Sequence, residues 1–157
     1  MTTTSINCNA KIFSNCEFLP EVVKLLNEGH TVTLPLRGFS MRPFLEDGRD
    51  KALLSLPGEL TVGDVVLAEN YPGHYVLHRL IRLTPTEAVL RGDGNIGTET
   101  CRPIDIKAKA LGFYRKGRNT LDSTTGKKWR IYSFLWTRLF PFRRYLLYAY
   151  RIFSPKH

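Results

Sequence analysis

Short apolar segments separated by turn residues fill the middle of the chain. Between residues 31 and 114, each segment is rich in Val, Leu, Ile or Tyr and is bounded by Gly, Pro or Asp. This arrangement is typical of strands joined by tight turns. We therefore predict a mostly β domain, with strands at 31–36, 51–56, 64–69, 75–83, 88–91 and 107–114.

The two flanks of this region have a different pattern. Residues 18–27 place apolar side chains at helical spacing and are followed by Gly29, which predicts one short helix. Residues 115–126 are polar and predict a linker, and residues 127–153 predict a pair of helices. A chain of 157 residues allows about one hydrophobic core. We divide it into an N-terminal segment (1–30), a β domain (31–118), and a linker with a basic helical tail (119–157).

Positive charge is concentrated in the tail. The chain has 23 Lys and Arg against 14 Asp and Glu, and residues 119–157 hold eight basic residues and one acidic residue. On a helical projection, Arg143, Arg144 and Arg151 share one arc of about 100°, with apolar side chains broadly opposite. The tail could pack on the domain, contact an anionic membrane surface through residues 127–153, or bind nucleic acid. Since no nucleic-acid-binding module is recognisable, nucleic acid is the partner that we expect least.

The sequence favours a cytoplasmic location, with the tail able to reach a membrane surface. Cys8, Cys16 and Cys101 form no C-x-x-C pair and no even set, which is expected of free thiols in a reducing compartment. No run approaches the roughly 18 apolar residues of a membrane-spanning helix, and residues 1–9 lack the features of a signal peptide. The cysteine spacing also weighs against structural zinc, and we expect no metal or other cofactor.

Residues 36–50 (LRGFSMRPFLEDGRD) are the most informative segment for function. They contain Ser40, and a serine hydroxyl becomes a nucleophile only when a base lies within hydrogen-bond reach and donors await the oxyanion. Among the four histidines, His78 lies inside an apolar strand, on the face that it shares with Val76 and Leu80. Taken alone, Ser40 is a loop serine and His78 a structural histidine. Taken together, they are candidates for a nucleophile and its base.

The order of motifs resembles that of the signal peptidase and SOS-repressor self-cleavage superfamily of serine peptidases. The resemblance covers about residues 34–116 and includes GFSMRP around Ser40, VGDVV at 62–66, YVLHRL around His78 and LRGDGN at 90–95. It implies a signal-peptidase-like β fold in which Ser40 is the nucleophile. Most bacterial members use a lysine as general base. The histidine at position 78 instead implies the Ser-His branch, which is typical of the endoplasmic-reticulum signal peptidase.

The resemblance also implies a third catalytic residue. The G-D-x-N segment of the family matches residues 92–95, so Asp93 would orient His78 and stabilise its imidazolium form. Glu99 is the alternative carboxylate for this role. The structural interpretation of Asp93, a turn residue between two glycines, also stays open.

Two further features of the motif region concern backbone groups. Gly38 stands where many signal peptidases have a hydroxyl residue, so the oxyanion hole would depend on the N–H groups near Ser40 and Met41. The glycines at 92–97 match the dinucleotide-binding pattern G-x-G-x-x-G, but residues 98–103 are a poor helix start. We therefore interpret that match as accidental.

Together these features predict a small serine endopeptidase. Ser40 would attack a peptide carbonyl, His78 would take and return the proton, and Asp93 or Glu99 would orient His78. The resemblance implies a peptide leader or protein tail, bound in an extended conformation, as the substrate. The alternative is a non-catalytic module of the same fold that captures an extended peptide by strand addition.

Overall fold

A computed structural model describes residues 15–153, with side chains from Phe18 onward, and confirms the mostly β architecture. The strands are β1 (Val32–Pro35), β2 (Lys51–Ser55), β3 (Val65–Tyr71), β4 (His74–Leu83), β5 (Ala88–Arg91), β6 (Glu99–Cys101), β7 (Ile106–Tyr114) and β8 (Leu121–Ser123). All pairings are antiparallel, in the order β1-β2-β7-β3-β4-β5-β6, and β8 pairs with β7. The single sheet curls into a half-barrel.

Three α-helices accompany the sheet. They are α1 (Asn15–Asn27), α2 (Lys127–Arg138) and α3 (Arg143–Phe153), and a short 3-10 turn joins α2 to α3. In α1, Leu19, Val22 and Leu26 recur at helical spacing and are buried in the main hydrophobic cluster. None of the helices within residues 15–153 has the length and apolar character that crossing a bilayer requires.

The six predicted strands are all present, with ends that differ from the prediction by at most two residues. Two short strands, β6 and β8, were not predicted, and β8 lies inside the segment that we expected to be a linker. Each has three residues and little apolar character, so neither shows the alternation by which a strand is recognised in a sequence. They form because a neighbouring strand has unpaired positions: β6 pairs with the free edge of β5, and β8 pairs with residues 112–114 of β7, beyond the end of the β3–β7 pairing.

Helix α2 is part of the hydrophobic core. Trp129 is buried, and its ring packs edge-on against Phe44 at 4.6 Å between centroids. Phe44 also stacks on Tyr132 at 4.3 Å, and Phe113 lies 4.9 Å from Trp129. Aromatic pairs at these distances add to the free energy gained from area burial alone. The first helix of the basic tail therefore covers the sheet.

The predicted arc of arginines on the second tail helix is wrong at Arg143. That side chain points inward and is 4% exposed, while Arg144 and Arg151 stay exposed. The guanidinium of Arg143 donates hydrogen bonds to the carbonyls of Trp136 and Asn95, at 3.2 and 3.5 Å, and lies over two aromatic rings. These contacts compensate for burying the charge, so periodicity alone could not assign its direction.

We predict that Trp129→Ala lowers the free energy of unfolding by about 3–5 kcal/mol, since it removes a buried aromatic ring. Phe134→Ala on the same helix is the matched control, because Phe134 is 58% exposed, and its effect should stay within about 0.5 kcal/mol. Denaturant unfolding measures both values. Equal effects would contradict the assignment of α2 to the core.

Candidate active site

Ser40 lies in a turn-rich loop that follows β1. The N–H of Gly38, at a positive φ of 85°, donates a hydrogen bond of 2.7 Å to Asp47 Oδ1 across the loop. Asp50 is fully buried and accepts hydrogen bonds from the N–H groups of Glu46 and Lys116, each at 2.9 Å. These contacts fix the conformation of the loop, as expected for aspartates in turns.

Burial would raise the pKa of Asp50, but its hydrogen bonds, first among them those from Arg49, outweigh burial and hold the pKa below its usual value. The carboxylate therefore stays ionised over the neutral range. It serves as a hydrogen-bond acceptor for the loop, which is a structural role.

The glycine-rich turn at 92–94 supports the serine loop from behind. The N–H of Gly94 donates a hydrogen bond of 2.7 Å to the carbonyl of Ser40. A Cβ atom at Gly92 would lie 2.4 Å from that same carbonyl oxygen, and one at Gly94 would lie 2.8 Å from the carbonyl oxygen of Phe39. Glycine is thus required here for close backbone contact. The G-x-G part of the motif has a structural cause that has nothing to do with dinucleotide binding.

His78 lies on β4, opposite Val66 on β3, and its side chain is buried. Ser40 and His78 line the same cleft, which has a volume of about 120 Å³. Within residues 15–153, no hydrogen bond joins the Ser40 hydroxyl to the His78 ring. Catalytic hydrogen bonds are often long without substrate and shorten when it binds. The structure therefore brings the predicted nucleophile and base to one cleft, without the direct hydrogen bond.

Glu99, the alternative carboxylate, lies beside His78. Its Oε2 is 3.4 Å from His78 Nδ1 and also accepts a hydrogen bond of 3.1 Å from Asn70 Nδ2. The Oδ1 of Asn70 accepts a hydrogen bond of 2.6 Å from Nδ1 of His74, an exposed residue. Since an amide oxygen only accepts, His74 must carry a proton on Nδ1. A polar chain thus runs from His78 through Glu99 and Asn70 to the surface.

The ionisation of His78 depends on two opposing effects. Burial, the larger effect, lowers the pKa of His78, and the negative charges of Glu99 and Asp93 offset part of it. The imidazole is therefore mainly neutral at pH 7, which is the form that can accept a proton.

Asp93 was predicted to orient His78, but the structure places it elsewhere. Its two oxygens accept hydrogen bonds from Arg79 Nε and Nη2, at 2.8 and 2.7 Å, and both side chains are almost completely buried. Tyr132 donates a further hydrogen bond of 3.2 Å to Asp93. The carboxylate makes no hydrogen bond to His78, because Arg79 binds it in a bidentate manner. Asp93 therefore holds the turn in place, and Glu99 occupies the position beside the imidazole.

Two backbone N–H groups in the Ser40 loop are candidates for oxyanion donors. Arg42 N–H closes a turn on the Phe39 carbonyl at 3.1 Å, and Gly38 N–H is taken by Asp47. Within residues 15–153, the N–H groups of Ser40 and Met41 have no hydrogen-bond acceptor. Unpaired N–H groups beside a nucleophile are what a developing oxyanion requires.

Helix α3 lies at the rim of the site. Tyr150 donates a hydrogen bond of 3.4 Å to Glu46, which lines the cleft that contains Ser40. Arg151 lines a second, more open cavity of about 400 Å³, whose walls include His78 and Glu99. His78 thus lines both cavities, and α3 lines the second one through Arg151. No sequence pattern indicated these contacts, since they join residues about 50 to 100 positions apart.

Comparisons of the chain with family models, with curated proteins and with solved structures found no match.

We predict that Gly92→Ala destabilises the protein by about 1–3 kcal/mol, since the new methyl group would overlap the Ser40 carbonyl. Gly97→Ala is the matched control. No atom lies within 4 Å of a Cβ at Gly97, and its φ is not positive, so it should be neutral or stabilising by up to about 1 kcal/mol. Thermal unfolding of both variants tests this. Equal stability would mean that the two loops do not touch.

Proposed function

We propose that this protein is a serine endopeptidase with a signal-peptidase-like fold. The observation that carries the proposal is the sharing of one cleft by Ser40 and His78, with Glu99 beside His78 Nδ1. A nucleophile, a neutral base and a carboxylate that orients the base are the components of acyl-transfer catalysis. The order of the motifs along the chain supports the same conclusion.

The mechanism follows from the contacts of each group. Because Nδ1 of His78 faces Glu99, Nε2 is the nitrogen left to take the proton of the Ser40 hydroxyl. The serine oxygen then attacks the peptide carbonyl, and the N–H groups of Ser40 and Met41 stabilise the oxyanion. The imidazolium that forms is stabilised by Glu99 and gives its proton to the leaving amine. Water then hydrolyses the acyl-enzyme by the same route.

The shape of the cleft favours an extended peptide with a small side chain at the cleaved bond. It lies between the loop at 36–41 and residues 75–78 of β4, so a peptide can run beside the strand. The cleft is narrow, with a volume of about 120 Å³, and its wall is partly apolar. A peptide leader or a protein tail fits such a cleft better than a folded domain does.

The second candidate function is a non-catalytic peptide-binding module of the same fold. The missing hydrogen bond between Ser40 and His78 favours it, because an unactivated serine is a poor nucleophile. Capture of a peptide needs only the strand edges and the apolar cleft. The two functions differ in whether Ser40 is reactive, because only the peptidase needs an activated serine.

We predict that a fluorophosphonate probe labels the protein at Ser40. Ser40→Ala should abolish labelling, and His78→Ala should slow it by about 10²–10⁴-fold, because the hydroxyl loses its base. Ser55→Ala is the control, since Ser55 bonds only to the carbonyl of Leu56 and should label normally. Mass spectrometry of the labelled peptide locates the site. No labelling of folded wild-type protein would favour the binding module.

We predict two effects of Glu99→Gln on labelling by the fluorophosphonate probe. The maximal rate falls, and the acid limb of the pH–rate profile moves to lower pH. Glu99 raises the pKa of His78 against the effect of burial, so its neutralisation should move the acid limb of the pH profile to lower pH. The rate should fall, by up to about 10⁴-fold, because the imidazolium loses its stabilising charge. Glu87→Gln, which neutralises the exposed partner of Arg82, is the charge-matched control. An unshifted acid limb would remove Glu99 from the site.

A further inference from the structure

The outward faces of α2 and α3 expose large apolar side chains. Six of them are between 50% and 73% exposed, which is unusual for so many large apolar side chains on two short helices. They are Ile131, Phe134, Leu135, Tyr145, Tyr148 and Ile152. We call this surface the hairpin face. Trp129 and Tyr132 lie on the opposite side of α2 and pack on the sheet, so the hairpin face is not needed to complete the core.

Basic side chains lie among these apolar ones, without acidic residues. Arg130, Arg138 and Arg144 are exposed, and residues 123–153 contain no Asp or Glu. Within the described part of the chain, these three arginines have no carboxylate partner, and Lys128 reaches Asp122 at 3.4 Å. Arg138 lies over the ring of Phe134, 5.0 Å from its centroid. The hairpin face is therefore positively charged as well as apolar.

We propose that the hairpin face binds the surface of an anionic lipid bilayer. Helices that lie in a membrane interface combine aromatic and aliphatic side chains with Lys and Arg, which are attracted to anionic headgroups. With 12 and 11 residues, α2 and α3 are too short to span a bilayer and can only lie along it. The aliphatic residues Ile131, Leu135 and Ile152 argue against nucleic acid, which would use stacking rings and charge.

The hairpin face also determines where the cleft would lie relative to the bilayer. Arg151 lines the larger cavity beside His78, and Tyr150 bonds Glu46 at the edge of the cleft that contains Ser40. A bilayer that contacts the outer side of α3 would lie about one helix diameter, roughly 10–12 Å, from the site. The binding itself requires no catalytic residue.

The test is co-sedimentation of the full chain with two kinds of vesicle. One contains phosphatidylcholine with phosphatidylglycerol, and the other contains phosphatidylcholine alone. The protein should sediment with the anionic vesicles and be released by high salt, since the attraction of exposed charges is screened. Ser40→Ala should bind as well as the wild type does, so that loss of catalysis and loss of binding are measured separately.

Two pairs of matched variants locate the binding surface. The triple variant Arg130→Gln, Arg138→Gln, Arg144→Gln should lower partitioning into anionic vesicles by about 100-fold, because each residue contributes about a factor of five. The control triple Lys24→Gln, Lys51→Gln, Arg118→Gln removes the same charge elsewhere and should bind like the wild type. In the same way, Ile131→Ser with Ile152→Ser should weaken binding. Val62→Ser with Ile104→Ser, two exposed residues of the β domain, should not.

Circular dichroism confirms that each variant is folded before it is compared. Equal binding by the two triple variants, or binding that is indifferent to lipid charge, would overturn the proposal. It would also be overturned if the folded protein bound a single-stranded oligonucleotide but neither kind of vesicle.

Discussion

The buried ion pair between Arg79 and Asp93 is the interaction on which the candidate site depends. Arg79 also donates hydrogen bonds to the Gly63 carbonyl, just before β3, and to Ser133 on α2. The pair thus connects strand β4, the 92–94 turn, the start of β3 and the tail helix. A buried charge without its partner costs several kcal/mol, so these four elements are stable only when assembled together.

The same pair fixes the position of both proposed catalytic residues. His78 immediately precedes Arg79 on β4, and successive side chains of a strand point to opposite faces. Arg79 holds the strand from one side while His78 faces the cleft on the other. The turn that carries Asp93 also contacts the Ser40 backbone through Gly94. Ser40 and His78 are therefore positioned by the two partners of one ion pair, and their relative position is a property of that pair.

Much of the fold could be predicted from the sequence, because apolar alternation and turn residues report on local structure. This was sufficient for the six longer strands, for α1 and for a helical tail. Strands β6 and β8 were missed because their pairing with a neighbour, and not their own side chains, makes them strands. Likewise, helical spacing did not indicate that Arg143 is buried, because its burial depends on carbonyls and rings of other elements.

Only part of the candidate site could be predicted from the sequence, because only part of it depends on local patterns. Ser40 and His78 stand in recognisable local patterns, and the structure brings them to one cleft. Which carboxylate lies beside His78 depends on where Arg79 points, and nothing near Asp93 in the sequence indicates that. The roles of Asn70 and α3 depend on contacts between distant segments, which a single sequence does not record.

The packing of α2 against Arg79 and Asp93 restricts the order in which the parts of the fold can form during translation. The residues that cover the ion pair, from Trp129 to Trp136, are made more than thirty positions after Asp93. At about 5–20 residues per second, translation delivers them about 2–9 seconds after Asp93. Until then, the nascent chain holds a charged pair that is open to water and a serine loop without its final support. The site therefore cannot reach its final form before α2 has been made.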